Sequence, residues 1–145
     1  MALITGNPVV VIGLGRFGSA IAAELQKHGR QVLAIDVDRQ LVQDASSTLS
    51  ATIEADATDE EALRQVGVHE MQEAVVAIGQ DVEASILVTA LLSELGIKKI
   101  WAKALSERHG RILERVGASR VVFPEVEMGR MVANDFLTEE LFDED

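Results

Sequence analysis

A short glycine-spaced turn carries the clearest chemistry in this sequence. Gly13, Gly15 and Gly18 stand in the spacing G-x-G-x-x-G directly behind the apolar run Val9-Val10-Val11-Ile12. A strand that feeds such a turn, with a helix opening on its far side, leaves helix-terminal amides where an anion can sit. Gly13 permits the tight turn, Gly15 lets the backbone approach a phosphate, and Gly18 lets the helix pack closely on the strand. Asp36 closes a second apolar run, Val32-Leu33-Ala34-Ile35, 18 residues beyond Gly18. That is near the ~20-residue offset at which a carboxylate meets the hydroxyls of a ribose. Phosphate cradle and ribose acceptor within one strand–turn–helix–strand unit form a nucleotide-binding pattern, which glycine spacing alone would not.

Such groups need alternating strands and helices to hold them. The first helix is expected from about Arg16 to His28, with Phe17, Ile21 and Leu25 on its buried face and Gly29 as its stop. Strand 2 covers 32–36, and Asp38 caps a helix bearing Leu41, Val42 and Ala45. Strand 3 runs from Ala51 to Ala55. Thr58 and Glu61 then read as a T-x-x-E capping box for a helix with Ala62, Leu63 and Val66 inward, ended by Gly67. The alternation continues with strand 4 from Glu73 to Gly79, a helix from about Asp81 to Leu95, and strand 5 from Lys98 to Ala104. A helix over Glu107 to Val116 and strand 6 from Arg120 to Phe123, stopped by Pro124, complete it. Runs such as Val75-Val76-Ala77-Ile78 are apolar without alternation, as in sheets covered on both faces.

The expected fold is therefore α/β: a Rossmann-like doubly wound parallel sheet of six strands in the order 3-2-1-4-5-6, with a C-terminal crossover-type helix. Its ligand crevice lies at the carboxyl ends of strands 1 and 4. Residues 1–126 form the nucleotide-binding domain, and 127–145 a C-terminal helix and acidic tail. In that helix, Glu127 to about Phe142, the residues Met128, Met131, Val132 and Phe136 share a stripe that Leu137, Leu141 and Phe142 widen. It either folds back on the sheet or packs on another subunit or domain. The helix over Asp81–Leu95 is also more apolar than one core stripe requires, with Ile86, Leu87, Val88, Ala90, Leu91 and Leu92. Its second face is offered to a neighbour or is covered within its own fold.

Strand order places candidate ligand contacts at the strand ends. Strand 1 delivers Gly13, Gly15, Arg16, Phe17 and Gly18; strand 2 gives Asp36, Val37 and Asp38; strand 3 gives Asp56, Ala57 and Thr58; strand 4 gives Ile78, Gly79 and Gln80. Arg16, inside the glycine turn, suits additional phosphate charge, although an exposed first-turn arginine is the alternative. Asp36 should repel a 2′-phosphate and so disfavours NADP. Asp56 reaches an adenine amino group or serves helix entry, and Lys103 at the end of strand 5 neutralises phosphate or stands in solvent. Glu125 is a hard-oxygen donor for a divalent cation if phosphates complete the shell, and otherwise a solvated glutamate. His28, His69 and His109 show no ligand spacing and read as ordinary surface residues.

The 145 residues suit one domain, too short for a nucleotide domain plus a full substrate domain. Net charge is −11, but six acids and no base fall within 135–145, leaving −5 for the rest. Nucleic acid, which needs clustered Lys and Arg, is not an expected partner. With no cysteine there is no thiolate chemistry, and with no tyrosine there is no short-chain Tyr/Lys catalytic pair. No G-x-x-x-x-G-K-[ST] loop occurs, and no run approaches the ~20 apolar residues of a membrane span.

Taken together, Val10-Val11-Ile12-Gly13-Leu14-Gly15-Arg16-Phe17-Gly18, Val32 to Asp36, Asp56-Ala57-Thr58 and Val76-Ala77-Ile78-Gly79 resemble the RCK (regulator of conductance of potassium) N-terminal domain, also called TrkA-N-like. Ile100-Trp101-Ala102-Lys103-Ala104 and Gly117 to Glu125 with Met128-Gly129 extend the likeness over nearly the whole chain, most closely to cytoplasmic subunits of Ktr-type potassium uptake systems. The resemblance implies a regulatory, non-catalytic domain. It would bind ATP or ADP, as Ktr-like members do, or NAD/NADH as Trk-like members do. It would join a homo-oligomeric ring, an octamer-type assembly of dimers, and couple ligand state to a potassium-translocating membrane subunit at which it sits peripherally in the cytoplasm. It further implies that Arg16 meets the terminal phosphate of a neighbouring subunit's ligand and that Glu125 helps hold a cation there. Family members usually continue into a smaller C-terminal lobe. The competing class is an NAD(H)-binding domain of an oxidoreductase or redox sensor.

Overall fold

The computed structural model describes residues 6–143, with side chains through Leu141; Met1 to Thr5, Glu144, Asp145 and the side chains of Phe142 and Asp143 lie outside the described residues. Six parallel strands form one sheet: β1 (Val9–Ile12), β2 (Val32–Asp36), β3 (Thr52–Glu54), β4 (Glu73–Val76), β5 (Lys99–Lys103) and β6 (Arg120–Val122). Their order is β3-β2-β1-β4-β5-β6, as expected. β1 lies between β2 and β4, with Val9 level with both Val32 and Glu73 and Ile12 level with Ile35 and Val76. The reversal of strand order beside β1 opens a crevice at the carboxyl ends of β1 and β4.

Side chains alternate across β1 and so divide the core. Val10 and Ile12 enter a large cluster with Leu63, Val88, Leu92, Ile100 and Leu113, while Val9 and Val11 enter a smaller one with Ala22, Val32, Ala34 and Leu49. All four β1 residues are buried, each burial being worth about 1.5–3 kcal/mol. The large cluster lies under α3 (Glu60–Gln65), α4 (Val82–Glu94) and α5 (Glu107–Val116); the small one lies under α1 (Arg16–Lys27) and α2 (Arg39–Ser46).

Several local expectations change in the folded chain. Thr58 is not the cap of α3: its N–H and hydroxyl both turn to Asp56, and Asp59 accepts the Glu61 N–H instead. β4 stops at Val76 rather than Gly79, because Ala77 donates one last hydrogen bond to Ile12 and the chain then leaves the ladder as the crevice wall. On α1 only Gly18 and Ala22 are fully buried, whereas Phe17, Ile21 and Leu25 are half-buried. His109 is not a surface residue, for it is buried between α5 and α4.

The last helix, α6 (Pro124–Asp143), begins three residues earlier than expected. Proline fits a first helical turn, where its missing N–H is not needed, and Glu127 accepts the Phe123 N–H at 3.0 Å. α6 does not fold back on the sheet: Met128, Met131, Val132, Phe136, Leu137 and Leu141 are each half or more exposed. The sheet face that it leaves open carries Trp101, with the Arg120 guanidinium 4.4 Å and the Lys99 ammonium 5.9 Å from its ring centre. Beneath it, Glu73 binds Arg30 at 3.0 Å and Lys99 at 3.4 Å.

Candidate functional site

The crevice at the switch in strand order is a cleft of about 500 Å³. Its walls contain Gly13, Gly15, Asp36, Val37, Asp38, Asp56, Ala57, Thr58, Ile78, Gly79 and Gln80, so the ends of β1, β2, β3 and β4 do converge. Leu41, Ala55, Asp81, Ala84 and Val88 also line it and were not among the residues expected there. Asp81 had a readable signal, since it directly precedes the apolar run of α4 and caps it by accepting the Ala84 N–H.

The glycine turn is shaped by two close approaches. At Gly13, φ is +105° and a Cβ would lie 2.6 Å from the carbonyl oxygen of Ala77, so no other residue fits. A Cβ on Gly18 would collide with the carbonyl oxygen of Gly13, and this holds α1 hard against the turn. Gly15 has open space where a side chain would stand, which leaves room for a ligand at the start of α1. Helices α2, α3, α4 and α5 have side-chain caps at Asp38, Asp59, Asp81 and Ser106, whereas Gly15 gives α1 none. The uncapped first turn of α1 is thus available to an anion.

Asp36 ties β2 to this turn. One carboxylate oxygen accepts the Leu14 N–H at 2.7 Å and the other the Asp38 N–H at 2.8 Å. A carboxylate has about four acceptor positions, so it retains capacity for a vicinal diol while its orientation is fixed. Asp56 is held similarly by the Thr58 hydroxyl at 2.6 Å and the Thr58 N–H at 2.9 Å. Those bonds, the hydroxyl's foremost, keep its carboxyl below the usual aspartate range. Asp36, Asp38, Asp56 and Asp81 make the walls acidic, with no Lys or Arg lining the crevice among the described residues. An anion in this cleft would meet backbone amides rather than a cationic side chain, and the carboxylates are placed to accept from hydroxyl or amino groups.

The remaining expected residues stand outside this cleft. Gly18 packs under the turn, while Arg16, Phe17 and Glu125 line an open groove between α1 and α6 together with Pro124 and Met128. The Lys103 ammonium lies 5.9 Å from the centre of the Phe17 ring. Glu125 belongs to no cluster of three acidic, His or Cys ligands among the described residues. As one exposed hard-oxygen donor it fits a divalent cation only when phosphate oxygens supply further ligands.

Residues 9–124 match the TrkA-N domain family. The chain belongs to this family. It is 40% identical over 139 residues to Ktr system potassium uptake protein A of Bacillus subtilis, covering 96% of this chain and 63% of that protein. The Vibrio alginolyticus protein of the same name is 42% identical over 127 residues, covering 88% of this chain and 58% of that one. The chain thus spans about three-fifths of these relatives' length. The solved GsuK channel bound to NAD superposes with a TM-score of 0.77 at 26% identity, over 93% of this chain and 24% of that one. GsuK bound to ADP gives 0.73 at 26% identity, over 88% and 33%.

Proposed function

We propose that this chain is the nucleotide-sensing domain of a regulatory subunit for potassium uptake, binding ATP or ADP in the crevice and acting by binding rather than catalysis. The observation that carries this reading is the pairing of an uncapped α1 turn at Gly15 with the Asp36 carboxylate clamped beside it. One end receives phosphates and the other the ribose. The relatives' potassium-uptake names and the nucleotides bound to GsuK give the same class of ligand and role.

Arg16 and Glu125, both outside the crevice, have a role if the ligand's terminal phosphate extends toward a neighbouring copy. There the guanidinium meets phosphate charge and the carboxylate shares a divalent cation with it. Lys103 would add charge to the same outer region. The assembly is a ring of such domains, an octamer-type arrangement of dimers, seated on the cytoplasmic side of a potassium-translocating membrane subunit. Loss of the terminal phosphate changes the ring's shape, which requires about 1–3 kcal/mol of differential affinity between the two shapes.

Mass spectrometry of nucleotide released from the purified chain, with calorimetry for ATP, ADP and NAD, tests the ligand. Adenine di- or triphosphate as the tightest ligand supports the reading, whereas NAD with hydride turnover would replace it with a redox function. Arg16→Ala should weaken ATP more than ADP, and Glu125→Gln should reduce the magnesium dependence of ATP binding while sparing ADP. Equal losses for both nucleotides would remove these two residues from terminal-phosphate recognition. Solution scattering identical with ATP and ADP would remove the shape change.

A further inference from the structure

The large core holds one polar knot, made of His109, Ser85 and Thr89, all buried. The Ser85 hydroxyl donates to the Val82 carbonyl at 2.8 Å, so its oxygen is left to accept from His109 Nε2 at 2.7 Å. On the other side of the ring, Nδ1 accepts the Leu105 N–H at 3.0 Å. These bonds are compatible with a single state, a neutral imidazole with its proton on Nε2. Protonation would put an N–H on Nδ1 facing the Leu105 N–H and leave a charge in an apolar core.

The knot borders the nucleotide crevice. Ser85 lies in the first turn of α4, next to Ala84, and Asp81, Ala84 and Val88 of the same helical end form part of the crevice wall. His109 thereby joins three pieces: the first turn of α4, the loop after β5 at Leu105, and α5. We infer that His109 is a positioning residue for nucleotide binding, whose neutral ring holds the α4 wall of the crevice in place and whose protonation releases it. This rests on the nucleotide-binding reading proposed above.

Charged groups on the packed elements do not offset a ring charge. Asp81, Glu83 and Glu94 of α4 and its cap, Lys103 of β5, Arg120 of β6, and Glu107 and Arg108 of α5 all retain solvent access. Burial, the one contribution acting on His109, holds its pKa below the ordinary histidine value of 6.5. The contribution of the knot is therefore complete above 6.5 and is lost as pH falls through the lower folded-state value.

NAD is a suitable probe, because its diphosphate keeps the same charge across this range whereas the terminal phosphate of ADP titrates within it. Wild-type chain should bind NAD roughly fivefold more weakly once pH has fallen below the measured His109 midpoint than at about pH 8, and His109→Gln should flatten that profile. NMR titration of the wild-type ring provides a readout that does not depend on the variant folding. By reciprocity, bound NAD must move the His109 midpoint to lower pH by the same factor. A midpoint unmoved by saturating NAD, or by saturating ADP where NAD does not bind, or a variant with the wild-type pH profile, would overturn the inference while leaving the nucleotide site intact. No binding of any adenine nucleotide at pH 8 would overturn the underlying reading and this inference with it.

Discussion

The crevice at the ends of β1–β4 and the sheet face around Trp101 differ in how far one chain completes them. In the crevice, polar groups are already oriented: Asp36 accepts one hydrogen bond from its own loop and one from the glycine turn, Asp56 accepts two from Thr58 in its own loop, and the glycine turn is packed to contact. At the other face and beside it, apolar groups are left open: Trp101 is 36% exposed, and Phe136 on α6 61%. Preorganised polar groups with space between them await a small ligand. Uncovered apolar surface at two places awaits a larger partner. Under the proposed nucleotide-sensing role, ligand recognition belongs to the single domain and its transmission to contacts made beyond it.

The largest effect should come from the turn itself. Gly18→Ala would drive α1 away from the Gly13 carbonyl and the Ala77 methyl, destabilising the chain by about 3 kcal/mol and abolishing nucleotide binding. A melting temperature within a degree of wild type would show that the turn is not packed as described. Asp36→Ala comes next. It should weaken adenine-nucleotide binding by ~1–3 kcal/mol through loss of a charged acceptor, and unchanged affinity by calorimetry would take Asp36 out of the site.

Beneath the open face, Glu73 reports on electrostatics. Burial raises its pKa, but hydrogen bonds from Arg30, Asn7 and Lys99 outweigh burial and hold it below 4.5. A carboxylate held low in the folded state stabilises above the unfolded value and loses that contribution as pH falls through the folded one. Glu73→Gln should therefore cost about 1–2 kcal/mol at neutral pH and less near pH 3. Urea denaturation at both pH values decides it, and an equal cost at both would show that charge is not the cause. The smallest effect on folding belongs to α6. Phe136→Ser should change the stability of the isolated chain by no more than about 0.5 kcal/mol yet reduce self-association in light scattering. A large loss of stability would mean that α6 packs on its own domain.

Most of the fold could be read from the chain because each strand end carries its own punctuation. The apolar run into Gly13, the acid at Asp36 and the glycines at 29, 67, 96 and 117 marked turns whose physical reason is local. Sequence was less informative where neighbours compete for one task. Thr58 and Asp59 are both good caps, and only the side-chain bond from Thr58 to Asp56 shows which was left for α3. Ala77-Ile78-Gly79 continues the apolar run of β4, so the end of the ladder is set by its partners β1 and β5 and not by composition. His109 precedes Gly110 and Leu113 on the buried stripe of α5, a helical spacing that placed it inside. A lone histidine in a charged stretch conceals that signal. Arg16 and Glu125 follow strand ends in sequence but point to a groove beside the crevice, which strand order alone does not separate from it.

Amide chemical-shift mapping with ADP tests the central claim most directly. Saturable shifts should concentrate at Gly13–Arg16, Asp36–Asp38, Asp56–Thr58 and Ile78–Gln80, with Trp101 and α6 silent at dilute protein. Shifts centred on Trp101 or α6, or no saturable shift with ADP, ATP or NAD, would contradict the assignment of the crevice as the nucleotide site.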